Sequence, residues 1–131
     1  MSTAVDTKEG KLILDSHKLS YHMDRVQAWE SGERIAPISV DMALTRACGA
    51  MCTFCYAMVQ ESQERSSVKT PVALKLVDDF ERLGIRSVSL VSDGESTLSP
   101  AYVPFIKHAY DAGIDVGNGT NGWEWEPEKI E

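Results

Sequence analysis

The chain has 131 residues, of which 43% are hydrophobic and 25% charged, and its formal net charge is −7. That composition suits one globular domain or part of one, and the acidic balance argues against nucleic acid as a partner, because phosphate backbones are held by Lys and Arg. No run of about 18 apolar residues exists, so no spanning helix is expected. The polar start MSTAVDTKEGK lacks a signal-peptide core. With an odd cysteine count, this points to a reducing, cytoplasmic compartment.

In chain order, Met1 to Lys11 reads as a mobile start, and Leu12 to Leu14 as a short edge strand. Tyr21 to Ser31 predicts a helix, with Val26 and Trp29 on one face and Gly32 as its stop. Ile38 to Leu44 alternates apolar and polar at first, which predicts the first core strand. All three cysteines follow directly, and Gln60 to Lys69 reads as a loop or a frayed helix end.

Two similar units come next. Thr70-Pro71 opens a helix as cap and first-turn proline. Ala73, Leu76, Val77, Phe80 and Leu83 form its stripe, Gly84 ends it, and Ile85 to Val91 reads as a strand. Ser99-Pro100 opens the second helix, Tyr102, Phe105, Ile106 and Ala109 share a face, Gly113 ends it, and Ile114 to Gly117 is a strand. The matching prolines and the matching glycines are both 29 apart, as a repeated helix–strand unit requires. A third unit opens near Trp125-Glu126-Pro127, so the sequence is expected to be a piece of a longer protein.

Alternating strands and helices predict an α/β fold with a parallel sheet. Function then gathers at the C-terminal ends of the strands. The cysteines follow the first strand, Ser92-Asp93-Gly94-Glu95-Ser96-Thr97 the second, and Asn118-Gly119-Thr120-Asn121-Gly122 the third. Periodicity alone puts these loops on one rim.

Cys48, Cys52 and Cys55 occupy eight positions with the spacing C-x3-C-x2-C. Three thiols cannot all pair as disulfides. Buried core thiols are one reading, but their crowding here argues against it. Thiolates favour zinc or iron–sulfur clusters. A structural zinc site needs a fourth ligand, and His17, His22 and His108 are all distant in sequence. A three-cysteine iron–sulfur centre leaves one iron open to a substrate or cofactor.

Cys48-Gly-Ala-Met-Cys52-Thr-Phe-Cys55 resembles the signature of the radical S-adenosylmethionine superfamily, including the aromatic Phe54 before the last cysteine. Asp93-Gly94-Glu95-Ser96-Thr97-Leu98 looks like a variant of the family's Gly-Gly-Glu motif, with Asp93 where glycine is usual and Ser96 where proline is usual. Thr120-Asn121-Gly122 is similar to the Thr-Asn-Gly found after the third strand in several subfamilies. The resemblance implies a partial (β/α)6, TIM-like barrel, with residues 38–131 as the N-terminal half of a core domain and residues 1–37 as an extension. It implies that Cys48, Cys52 and Cys55 bind a 4Fe-4S cluster, and that Phe54, Gly94, Glu95, Thr120 and Asn121 bind cofactor. Reductive cleavage of S-adenosylmethionine would give a 5′-deoxyadenosyl radical that abstracts hydrogen from a peptide or a small biosynthetic intermediate. The electron donor would be a flavodoxin or ferredoxin. The alternative is a non-catalytic metal-binding module, either a structural zinc site or an electron-transfer iron–sulfur protein.

Overall fold

The computed structural model describes residues 3–7, 10–14, 18–50, 52–56, 66–91 and 93–126. The chain divides into two compact units, Met1–Ile35 and Ala36–Glu131.

In the first unit, β1 (Thr3–Thr7) and β2 (Gly10–Leu14) pair antiparallel, Thr3 opposite Leu14 and Thr7 opposite Gly10. The expected mobile start is therefore partly a hairpin strand. Its sequence, Thr3-Ala-Val-Asp-Thr7, carries no polar–apolar alternation that would distinguish a strand from a tail. A 3-10 turn, Lys18–His22, leads into α1 (Met23–Glu30). The predicted face of α1 exists as a pattern, but no residue on this helix is buried and Trp29 is 66% exposed.

The second unit is a three-stranded parallel sheet in the order β3 (Ser39–Asp41), β4 (Ser87–Leu90), β5 (Asp115–Asn118). Helix α2 (Thr70–Leu83) connects the first pair of strands and α3 (Tyr102–Asp111) the second. Val88 and Leu90 pack into one core with Ala73, Val77 and Phe80 of α2 and with Tyr102, Phe105 and Ala109 of α3. Successive strand residues face opposite ways, so Ser87 and Ser89 point to the other face. The register places Ser39 and Asp115 beside Ser87, and Asp41 and Gly117 beside Ser89. That second face is made of small or polar residues.

β3 is shorter than the predicted strand of residues 38–44. Pairing continues through Met42 N to Ser89 O (2.9 Å), after which the chain turns to a different partner. Arg46 N bonds Ser66 O and Val68 N bonds Leu44 O, both at 2.9 Å, with an antiparallel bridge between Thr45 and Ser67. Residues 66–69 are therefore extended, where a loop or a frayed helix was expected; residues 60–65 of that expectation lie outside the described residues. Thr70 is the first residue of α2 and not its cap. Lys69 holds the cap position, still extended and without a side-chain cap bond. Gly84 closes α2 at φ 72°, in the left-handed region that glycine enters without strain. His108 Nε2 and Asp78 Oδ1 meet at 2.6 Å between α3 and α2. Of the third unit, residues 127–131 lie outside the described residues. No helix among the described residues is long and apolar enough to cross a membrane.

Candidate functional site

Parallel strands end on the same side of a sheet, so the segments leaving β3, β4 and β5 share a rim. Hydrogen bonds join all three segments there. Glu95 N donates to Ala47 O at 2.8 Å, tying the second segment to the root of the cysteine loop. Thr120 Oγ1 donates to Glu95 Oε1 at 2.9 Å and Asn121 N to Glu95 Oε2 at 2.8 Å, tying in the third. Asn121 Nδ2 lies 3.9 Å from Cys48 Sγ, which connects the third segment back to the first.

Glu95 is the hub, and its side chain is almost fully inside, at 2% exposure. Oε1 also accepts from Thr97 Oγ1 at 2.7 Å and Thr97 N at 3.3 Å. Burial by itself pushes the carboxyl pKa up. The donors, led by the Asn121 amide and followed by the Thr97 and Thr120 hydroxyls, more than offset that and hold it below the usual glutamate range. The result is a fixed, buried negative charge at the rim. Tyr102 lies within its field. Burial first and the Glu95 charge second raise the Tyr102 pKa, and its hydroxyl accepts from Asn118 Nδ2 at 3.0 Å. Asn118 Oδ1 is buried without a hydrogen-bond partner among the described residues.

Gly94 is glycine because its own chain demands it. Its φ is +76°, and a Cβ there would lie 2.3 Å from Thr45 O and 2.8 Å from the Arg46 backbone. The resemblance assigns Gly94 to the cofactor, and its backbone here closes on the cysteine-loop root. Thr120 Oγ1 accepts from Gly122 N at 3.1 Å and from Trp125 Nε1 at 3.3 Å. Asn121 Oδ1 accepts from Trp123 N at 2.9 Å, a local turn that directs the amide nitrogen toward Cys48.

The three cysteines are free. Cys52 is exposed, Cys48 and Cys55 are half-buried, and Cys55 N bonds Cys52 O at 3.1 Å in a tight turn. Among the described residues no three His, Cys, Asp or Glu side chains are gathered as a metal-holding group. The donor chemistry nonetheless suits an iron–sulfur cluster: three unpaired soft thiols on one short loop, with one coordination position left over. Phe54 is 88% exposed, so it packs against nothing in the core. The rim therefore unites Cys48, Gly94, Glu95, Thr120 and Asn121, while Phe54, Cys52 and Cys55 stand out on the cysteine loop.

Sequence reasoning did not find the roles of Arg46, Thr97 and Trp125. Thr97 carried a local signal, since a Glu-x-Thr step allows the hydroxyl to reach back to the carboxylate. Arg46 pairs with Asp93 at 3.4 Å across the fold, and spacing along the chain has no means of showing that.

No protein-family model matches the chain. The AdoMet-dependent heme synthase of Methanosarcina barkeri is 27% identical over 96 residues, which cover 73% of this chain and 27% of that protein. The crystal structure of Streptococcus suis SuiB bound to precursor peptide SuiA matches with a TM-score of 0.64 at 15% identity, over 96% of this chain and 28% of that one. The Methanosarcina barkeri protein is AdoMet-dependent, so the sequence likeness agrees with the resemblance to the radical S-adenosylmethionine superfamily carried by Cys48, Cys52 and Cys55. The chain spans little more than a quarter of the length of either relative. The SuiB likeness, at its low identity, speaks to the α/β fold alone.

Proposed function

We propose that residues 38–131 are the N-terminal half of a radical S-adenosylmethionine core, a partial (β/α)6 barrel. The carrying observation is that the segment bearing Cys48 is bonded to Glu95 and Asn121, so the cysteine loop is rooted in a buried anionic hub. In this reading Cys48, Cys52 and Cys55 hold a 4Fe-4S cluster. When bound, that cluster supplies the electron that cleaves S-adenosylmethionine to methionine and a 5′-deoxyadenosyl radical.

The chain's own residues do the rest. Glu95 supplies a negative charge at the rim, with Oε1 committed to Thr97 and Thr120 and with Oε2, which takes one donor among the described residues, the freer acceptor for an ammonium group. Asn121 turns its amide toward the sulfur of Cys48. Phe54, exposed beside Cys55, is the side chain available to cover a bound group and exclude water. The small polar face of the sheet, Ser39, Asp41, Ser87, Ser89, Asp115 and Gly117, leaves room for a polar substrate. A peptide is the substrate class we favour, as SuiB was captured with its precursor peptide. The electron donor is a flavodoxin or ferredoxin, and the setting is the cytoplasm.

The test is anaerobic reconstitution of the chain within its whole parent protein. About four irons and four sulfides per chain, with 5′-deoxyadenosine formed on adding S-adenosylmethionine and reductant, are the expected result. One zinc per chain and no deoxyadenosine would overturn the reading in favour of a structural metal module.

A further inference from the structure

Asp93 stands where the related motif has glycine, and the structure shows what it touches. Its Oδ2 lies 3.4 Å from Arg46 Nε, with the two side chains only 23% and 25% exposed. The next two residues act on the same stretch of chain. Gly94 lies against the Thr45 carbonyl and the Arg46 backbone so tightly that a Cβ has no room. Glu95 N bonds Ala47 O. Three consecutive residues, 93 to 95, thus grip three consecutive residues, 45 to 47. From elsewhere in the fold, Ser66 O accepts Arg46 N at 2.9 Å, and Ser67 Oγ meets Thr45 Oγ1 at 2.7 Å. The grip ends at Ala47, and Cys48 is the first residue beyond it.

We propose that Arg46 and Asp93 are a positioning pair that sets the root of the cysteine loop before anything binds there. Gly94 contributes contact but no side chain. The ion pair and the Glu95 amide, one on each side of it, therefore hold the root against sliding along the rim. Asp93 replaces the backbone freedom of a glycine with a charged tether two residues ahead of Cys48. This rests on the proposed function only in that Cys48 is taken as a ligand; the tether itself is a property of the polypeptide.

The experiment compares the parent protein with Asp93→Asn, Asp93→Gly and the charge-swapped double variant Arg46→Asp/Asp93→Arg. Amide hydrogen exchange is followed in the metal-free state, and the visible spectrum after iron and sulfide reconstitution. The single variants should speed exchange at residues 46–48 about three- to fivefold, the scale of one partly shielded ion pair. Amides of α2, α3 and β4 should be unchanged. The spectrum of the reconstituted centre should broaden or weaken in the single variants, and the swapped pair should restore both readouts. Unchanged exchange at residues 46–48 in Asp93→Asn, or no recovery in the swapped pair, would overturn the proposal. Faster local exchange with no cluster in any chain, the parent included, would uphold the tether and sink the proposed function instead.

Discussion

The Thr120 hydroxyl gives its proton to Glu95 Oε1 at 2.9 Å, across 25 positions of sequence. The direction of that bond is settled by Thr120's other partners. Gly122 N and Trp125 Nε1 both donate into the same oxygen, so its lone pairs are spent and its single proton goes to the carboxylate. Removing the donor leaves a buried acceptor short of a partner. Thr120→Val should cost about 1 kcal/mol in urea unfolding, and Glu95→Gln, which turns an acceptor into a donor facing donors, about 1–3 kcal/mol.

Acid should loosen this unit through the same residue. The folded pKa of Glu95 is depressed, so its contribution to stability is complete above the ordinary glutamate value of 4.5 and is lost as pH falls through the folded value. Stability against urea should therefore be flat from neutral pH to about 5 and then fall. In Glu95→Gln the fall should be shallower, because the titrating group is gone. An equal slope in both chains would show that Glu95 is not the group responsible.

Gly94→Ala places a methyl group against the Thr45 carbonyl at a φ of +76°. Strain of this kind costs on the order of 1–3 kcal/mol before the clash is counted. Thermal unfolding should show a lower midpoint, and the loss should exceed that of Gly49→Ala, where a Cβ meets nothing within 4 Å.

Cys48→Ser, Cys52→Ser and Cys55→Ser should each abolish iron loading in the reconstitution assay, while shifting the unfolding midpoint little. None of the three thiols is buried in the core, so their removal opens no cavity. Phe105→Ala should do the reverse. Its ring is fully buried in the core that α2, α3 and the sheet share, so truncation should cost about 3–5 kcal/mol and lower the yield of folded protein.

The repeated helix–strand units were legible because their signals are local and redundant. Apolar stripes at helical spacing, closing glycines at Gly84 and Gly113, and short β-rich runs all agree, and the parallel order of three strands follows from them. The cysteine spacing was equally plain, because all three thiols fall within eight consecutive residues. The hairpin at Thr3–Thr7 and the extended return of residues 66–69 were not legible, because each is an extended segment defined by what it pairs with.

What the chain's order of residues determined by itself was the alternation of elements and hence the shared rim, because backbone periodicity is written one turn or one pleat at a time. What only the tertiary structure decided was how the rim is wired. Glu95 spends itself on Thr97, Thr120 and Asn121, Gly94 makes room for Thr45, and Asp93 reaches Arg46. A hydrogen bond or an ion pair reads distance in space, and folding sets that distance independently of separation along the chain.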